Sequence, residues 1–314
     1  MLKSLKNTII KKTSRFYFDL IILWDWEYDD DFVKSLLQTA QKKRLKADSF
    51  GPNEVESFAK AFLHKNFRCN LIIDRASDVH PGLALLLTNL KSQGTILIND
   101  PKAMVWCRDK ATMHLELLNQ GVSVPYGIII STDDHPESMH VMALNKLGSP
   151  YVIKPAEGGG GEGVILHGES THDITAALQA SHTGKIILQE KVIPKMIGDH
   201  RGWLRIFYIL AKIMPCWWDD QTHLYHEIHP GELPQEILDK IFGIVNTIAR
   251  TSHMQFFTTE VAIDHNGNLL VVDFVNEMCD MRIQSHHYDG IPDNVFNQII
   301  QAIIEFCIHP GKRN

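Results

Sequence analysis

Two lysines, a run of glycines and a pair of acids carry the chemistry this sequence offers. In "YVIKPAEGGGGEGVIL", residues 151–166, Lys154 sits in a β-branched run and shares a face with Val152. It leads into Gly158, Gly159, Gly160, Gly161, Glu162 and Gly163. An ammonium inside an apolar strand is costly unless it meets an anion, and glycines let a backbone approach a ligand with no side chain between them. Lys110, in "RDKATMH", is a second cation for phosphate charge, though alone it reads as a surface helix lysine. Downstream, "ILQEKVI" brings Gln189, Glu190 and Lys191 to the end of an apolar strand. Exposed backbone there suits an adenine edge, with Glu190 accepting from an amino group. Glu260 in "FTTEVAID", with Asp273 and Asn276 in "VVDFVNE", places two carboxylates and an amide oxygen at one end of a sheet. Oxygen-only donors suit Mg²⁺ or Mn²⁺, ions that also take phosphate oxygens.

Three glycine-loop chemistries compete. A P-loop requires GxxxxGK[ST] between a strand and a helix, but Gly163 is followed by Val164 and Ile165, and no GK[ST] occurs in the chain. A dinucleotide fingerprint opens a helix in the first βαβ unit, whereas this loop lies mid-chain before another strand-like run. The third pattern is strand, glycine turn, strand: a hairpin that folds over a triphosphate and donates backbone N–H groups, as protein-kinase glycine loops do. The catalytic-loop and DFG signatures of protein kinases are absent. A plain hairpin turn is the simpler alternative, but four consecutive glycines exceed what a two-residue turn requires.

These groups need elements to position them. From Phe16 to Pro101 the strand-like runs "FDLIILW", "CNLIIDR" and "GTILIND" alternate with helical stretches at 31–45 and 81–93. That alternation predicts βαβ units on a mostly parallel sheet. In "NDPKAMVWCRDKATMHLELLNQGVSVP", Asp100 can cap a helix, Pro101 fits its first turn and Gly121 supplies its stop. "YGIII" reads as a strand, 134–147 as a helix and "SPYVIKP" as the strand feeding the glycines. The later runs "KIILQEKV", "WLRIFYILAKIMPCWW", "TTEVAID" and "NLLVVDFVN" predict a mixed, largely antiparallel sheet, with helices at 233–251 and from Asp293 to about Cys307. The expected fold class is therefore α/β followed by α+β.

A chain of 314 residues is long enough for two domains, and 44% hydrophobic with 22% charged residues is an ordinary globular composition. The net charge of −6 gives no reason to propose a nucleic-acid partner. Five scattered cysteines without CxxC spacing favour reduced thiols in a cytoplasm over a disulfide framework. Residues 1–15 carry five basic side chains and no acid, and read as a flexible, solvated tail. No 18-residue apolar run occurs, so no membrane association is expected.

In order and spacing, four of these segments resemble the ATP-grasp enzymes. "NDPKAMVWCRDKATMHLELLNQGVSVP" resembles that family's first lysine helix, with Lys110 in the phosphate-contacting place, and "YVIKPAEGGGGEGV" resembles its second lysine strand and glycine loop. "IILQEKV" resembles the adenine hinge, which brings in Val192 beside Gln189, Glu190 and Lys191. "TTEVAIDHNGNLLVVDFVN" resembles the paired metal-binding strands. The likeness covers residues 16–305. It implies a Rossmann-like pre-ATP-grasp domain over 16–105 and a two-lobed ATP-grasp domain over 106–314, with a small nucleotide lobe at 106–186 and a catalytic, metal lobe at 187–314. It also implies ATP and Mg²⁺, with Mn²⁺ compatible, and a reaction class. A carboxylate attacks the γ-phosphate to give an acylphosphate, and an amine then displaces phosphate.

Further roles follow only from the resemblance. Arg205 in "WLRIFYI" resembles the arginine beside the transferring phosphate; Asp199 and Arg201 in "GDHR" are alternatives, Asp199 toward the ribose and Arg201 toward substrate. His229 occupies the place of a short histidine-containing loop near the nucleotide. Just past the metal residues, Arg282 reads as a substrate clamp with Ser285 beside it, weighed against a surface ion pair with Asp280. Two features depart from the family pattern. Its last metal motif is Glu-x-Asn, whereas "DFVN" has Asp and one extra residue; and its hairpin ends in a basic residue, whereas "AKIMPCWWDD" offers Trp217, Trp218, Asp219 and Asp220. An indole-lined acidic pocket there would favour an amine-bearing acceptor, against core packing of the indoles. His223, His226 and His229 lack HExxH spacing and form a poor zinc set. Three readings stay open: a carboxylate–amine ligase acting on small-molecule or peptide substrates, a phosphotransferase on the same fold, and a non-catalytic ATP-binding module. Homo-oligomerisation is also left open.

Overall fold

The computed structural model describes residues 16–62, 67–134 and 141–310. The basic tail expected over 1–15 and the first part of the helix expected at 134–147 lie outside the described residues. Leu20, Ile21, Ile22 and Leu23 are all fully buried, as a strand covered on both faces requires. This strand, β1 (Phe16–Trp24), runs parallel between β2 (Ala47–Phe50) and β3 (Phe67–Arg75), and β4 (Ile96–Ile98) extends the sheet in the order β2-β1-β3-β4. Helices α1 (Asp30–Lys42), α2 (Val55–Phe62) and α3 (Gly82–Ser92) make the crossovers. The sequence reading missed β2 and α2. A four-residue edge strand, "ADSF", and an eight-residue helix are too short to show a period.

By packing, the described residues divide into two compact units: those up to Lys102 together with those from Asp280 onward, and Ala103–Cys279. The closing helix Asp293–Ile308, assigned from sequence to the second domain, packs in the first unit. There Phe296 meets Phe32 of α1 edge to face at 6.3 Å. Within the same unit Arg75 grips Asp29 with two buried hydrogen bonds, 2.7 and 2.8 Å.

Helix α4 (Pro101–Arg108) carries the chain into the second unit, and α5 (Lys110–Asn119) follows. The sequence predicts one helix here; the break falls at Asp109, whose carboxylate caps α5 by accepting from the N–H groups of Ala111 and Thr112. Strands β5 (Gly127–Ser131), β6 (Tyr151–Pro155), β7 (Ile165–Gly168) and β8 (Lys185–Glu190) form an antiparallel sheet in the order β5-β8-β6-β7. Helices α6 (Val141–Leu147) and α7 (Thr171–Ala180) cover it, and a Ser170–Asp173 capping box starts α7. Because β8 ends at Glu190, residues 187–190, which the sequence boundary gave to the following lobe, complete this first sheet.

A two-stranded hairpin, β9 (Met196–Ile197) and β10 (His200–Arg201), precedes the larger antiparallel sheet. That sheet comprises β11 (Trp203–Ile209), β12 (Lys212–Trp218), β13 (Tyr225–Glu227), β14 (Phe256–Ile263) and β15 (Leu269–Asn276), ordered β13-β12-β11-β14-β15. One face packs on α8 (Gln235–Ser252), α4 and α5, burying Leu204, Ile206, Trp217, Val261, Phe274 and Val275. All five cysteines are buried, and none is in a disulfide. Among the described residues no helix is long and apolar enough to cross a membrane.

Candidate functional site

The glycine run joins β6 to β7 as an antiparallel hairpin with no helix after it, the strand–turn–strand geometry predicted for it. Gly158, Gly160, Gly161 and Gly163 have φ of 124°, 62°, 77° and 71°, in the region that disfavours side chains. Gly159 does not, and a Cβ on any of Gly158–Gly161 would meet nothing within 4 Å. The protein itself makes no close approach there; backbone conformation is what demands glycine. Lys110, at the start of α5, donates its Nζ to the Gly158 carbonyl, and its own N–H donates to Ala156 O at 2.7 Å. Asp109 beside it binds Lys185 at 2.5 Å. Burial pushes the Asp109 carboxyl up, but Lys185 and Thr112 hold it below the usual carboxylate range.

Lys154 projects from β6 to the larger sheet, donating to the Val272 carbonyl of β15 at 3.1 Å. Burial lowers its pKa; Asp273 and Glu260 act in the opposite sense, and Lys110 adds to the lowering. A lysine held this way gains from an incoming anion.

Register builds the rest of the site. Arg205 of β11 lies directly opposite Glu260 of β14, and Glu260 lies directly opposite Asp273 of β15. Directly paired residues point to one face of a sheet, so the three form a row. The extra residue of "DFVN" is absorbed at the edge strand. Thr258 pairs with Asn276 while Glu260 pairs with Asp273, so one residue of β14, Thr259, faces two of β15, Phe274 and Val275, across a bulge. Phe274 and Val275 both enter the core on the opposite side, which returns Asn276 to the face of Asp273. Asn276 therefore stands on the face of Asp273 despite the extra residue.

Arg205 Nη2 meets Glu260 Oε1 at 2.7 Å, Nη1 donates to the Tyr225 hydroxyl at 3.4 Å, and the guanidinium lies 4.4 Å over the Trp218 ring. Burial opposes its charge, but Tyr225 and Glu260 raise its pKa and keep it protonated. Trp203 Nε1 donates to the other Glu260 oxygen at 2.9 Å. Among the described residues the Asp273 carboxylate and the Asn276 amide carry no hydrogen bond or ion pair. No group of three or more His, Cys, Asp or Glu among the described residues is placed to hold a metal. Glu260, Asp273 and the Asn276 amide offer two carboxylates and an amide oxygen on one sheet face, a donor set that suits Mg²⁺ when phosphate oxygens complete it.

No family model matches the sequence, and no curated protein is similar to it. Solved structures are similar. A D-alanine–D-alanine ligase from Bacillus anthracis complexed with ATP superposes over 94% of this chain and 98% of its own, with TM-score 0.66 and 13% identity. The ATP-grasp ligase PsnB, complexed with minimal precursor, Mg and ADP, matches over 93% and 99%, with TM-score 0.63 and 16% identity. VanG D-Ala:D-Ser ligase from Enterococcus faecalis matches over 94% and 100%, with TM-score 0.61 and 13% identity.

The chain has the ATP-grasp fold. The order of its motifs predicted that fold, and the ATP-grasp geometry brings Lys110, Lys154, the glycine hairpin, Arg205, Glu260, Asp273 and Asn276 into one unit. Gln189 is buried with its Nε2 unpaired, on the face of β8 opposite Val152 and Gly127. Glu190 places one carboxylate oxygen on the Tyr126 N–H at 2.9 Å, which ties β8 to the start of β5. Lys191 sits 3.4 Å from the His167 ring, and Val192 packs beside Trp203, Ala262 and Val272. Glu162 is exposed in the loop.

Other candidates stand apart from this row. Asp199 is exposed at the tip of the β9–β10 hairpin. Arg201 is committed to Asp220 through two bonds of 2.5 and 3.0 Å, and Asp219 caps its own turn through the N–H groups of Gln221 and Thr222. Trp217 lies in the core, the packing weighed against an indole-lined acidic pocket, while Trp218 supports Arg205 and both acids are spoken for. His229 is exposed and its N–H donates to Glu232 at 2.9 Å. In the first unit, Arg282 is held by Asp280 at 2.6 Å and Asp289 at 3.0 Å, over the Tyr28 ring at 5.3 Å; the ion pair weighed against a clamp role is present. Ser285 is exposed, its N–H on Asp293.

Sequence reasoning missed Tyr225, Trp203 and His114. Tyr225 and Trp203 join the site only through strand register. His114 had a signal: it lies four residues after Lys110, on the same helical face. It is buried with Nδ1 unpaired, packs 5.6 Å from Phe274, and stands where a Cβ on Gly127 would meet its Cε1 at 2.9 Å.

Proposed function

We propose that this protein is an ATP- and Mg²⁺-dependent carboxylate–amine ligase that forms an amide or peptide bond through an acylphosphate. The observation that carries the reading is the row Arg205–Glu260–Asp273, with Asn276 returned to it by the bulge, next to the enclosed ammonium of Lys154. That arrangement combines three oxygen-donor side chains for a metal and the Arg205 guanidinium on one sheet face with the Lys154 ammonium reaching it from β6. One neighbour of the same fold is complexed with ATP and another with minimal precursor, Mg and ADP, which supports nucleotide and metal use with a small-molecule or peptide acyl substrate.

In this reading Lys110 and Lys154 bind the triphosphate, and the glycine hairpin donates backbone N–H groups and excludes water above it. Glu260, Asp273 and Asn276 hold the divalent ion, which neutralises phosphate charge. Gln189 through Val192 face the adenine. A substrate carboxylate oxygen attacks the γ-phosphorus, the bond to the β–γ bridging oxygen breaks, and ADP leaves with that electron pair. Arg205 holds the transferred phosphoryl oxygens. The amine lone pair then attacks the acyl carbon, the carbon–oxygen bond to phosphate breaks, and the amine gives up its proton to water.

The test is incubation with ATP, Mg²⁺ and pooled carboxylate and amine compounds. Orthophosphate released only when both an acid and an amine are present supports ligation. A phosphorylated product with ADP and no free phosphate assigns the phosphotransferase instead. Absence of nucleotide binding at millimolar ATP refutes both.

A further inference from the structure

Glu260 is the one member of the metal set whose carboxylate is already taken. Arg205 Nη2 holds Oε1 at 2.7 Å and Trp203 Nε1 holds Oε2 at 2.9 Å, while Asp273, directly opposite in register, carries no hydrogen bond or ion pair among the described residues. The guanidinium is supported from two further sides, by the Trp218 ring at 4.4 Å and the Tyr225 hydroxyl at 3.4 Å. Its buried Nε is left without a partner. A buried unpaired donor on a charged group is expensive, and an anion arriving on that side satisfies it.

We propose that Arg205 and a divalent metal compete for the Glu260 carboxylate, so that metal loading hands the arginine from Glu260 to the phosphate. The proposal rests on the reading of Glu260 and Asp273 as metal-holding residues, and adds the order in which the charges exchange. Without nucleotide, a divalent ion entering beside Asp273 meets a guanidinium bonded to the same carboxylate. Two cations within a few ångströms repel strongly where water is excluded, so each weakens the other's hold on Glu260. With a triphosphate present the repulsion becomes cooperation. Arg205 turns its fork to phosphate oxygens, a match for planar bidentate recognition, and Glu260 is released to the ion. By linkage, the factor by which nucleotide tightens metal binding equals the factor by which metal tightens nucleotide binding.

The experiment measures Mn²⁺ affinity by calorimetry, with and without a non-hydrolysable ATP analogue, in the full chain and in Arg205→Met and Arg205→Lys. In the nucleotide-free protein Arg205→Met binds Mn²⁺ about tenfold more tightly, equivalent to about 1.4 kcal/mol, and the enhancement by the analogue shrinks by a similar factor. Arg205→Lys, which keeps the charge and loses the fork, moves in the same direction by less, and serves if the methionine variant does not fold. Mn²⁺ affinity at the wild-type value in the folded variants, with wild type binding Mn²⁺ and the analogue normally, overturns the competition and leaves the metal site standing. Failure of wild type to bind Mn²⁺ even with the analogue overturns the metal reading itself.

Discussion

Replacing Lys154 with methionine keeps the length and volume of the stem and removes only the ammonium. In the free protein that ammonium has one neutral acceptor, the Val272 carbonyl at 3.1 Å, and burial lowers its pKa. Losing the hydrogen bond costs about 0.5–1.5 kcal/mol, but relieving the burial of a charge with no directly bonded anion offsets it. The nucleotide-free variant is therefore as stable as wild type or more so. Nucleotide binding moves the opposite way, because a charge-assisted bond to phosphate worth about 1.5–3 kcal/mol disappears, a roughly ten- to hundredfold loss of affinity for ATP. The pH dependence has a defined sign. A lysine whose folded pKa is depressed binds fewer protons folded than unfolded between that pKa and the unfolded value of 10.5. Stability therefore rises with pH across that window, and the burial penalty is full below it. Bound phosphate raises the pKa again, so wild type takes up protons on binding nucleotide within the window and Lys154→Met takes up fewer. Urea unfolding gives the stability, and calorimetry in two buffers of different ionisation enthalpy gives affinity and proton uptake. A variant that binds ATP within about twofold of wild type, or that loses more than about 3 kcal/mol of stability, refutes the reasoning and makes the ammonium a structural pin on β15.

Asp273→Asn removes a carboxylate that has no hydrogen-bonded partner, so the unfolding midpoint stays near wild type while Mn²⁺ affinity falls by more than about tenfold; a large loss of stability with metal affinity intact contradicts the assignment. In the hairpin, Gly159→Ala leaves the KM for ATP nearly unchanged, whereas Gly158→Ala and Gly163→Ala raise it. Both of those positions have positive φ, and a Cβ at 163 also meets Pro155 Cγ at 2.9 Å; equal effects at all three in steady-state kinetics would remove the conformational argument. Arg75→Met strands the buried Asp29 carboxylate and destabilises the first unit by about 3–5 kcal/mol, read by denaturant unfolding; a change below 1 kcal/mol would mean that water reaches Asp29.

Much of the local structure was legible because it depends on near neighbours in the chain. Residues 20–23 announce a strand buried on both faces, the run 158–161 announces backbone freedom, and Lys154 in an apolar strand announces an anion. Four weak motifs in the right order were enough to predict the fold, because each must sit on a particular strand or helix end for the others to make sense. The short β2 and α2 were not legible, and neither was the packing of the closing helix with the first unit, since nothing in its amphipathic pattern says which sheet it covers. Arg282 and Arg201 illustrate the same limit: a guanidinium near a proposed site looks functional in sequence until the structure shows it held by Asp280 and Asp289, or by Asp220.

The sequence by itself determined which chemistries were available: two lysines, two acids, an amide and a permissive loop, in an order that fits one fold. Only the tertiary structure decided which of them meet. Arg205, Glu260 and Asp273 are separated by 55 and 13 positions in the chain, and become a row because antiparallel register sets three strands side by side. The extra residue before Asn276 looked like a broken motif for the same reason. Its effect depends on whether the strand bulges or slips, and that is fixed by Phe274 and Val275 both finding the core, a long-range packing preference that no local spacing encodes.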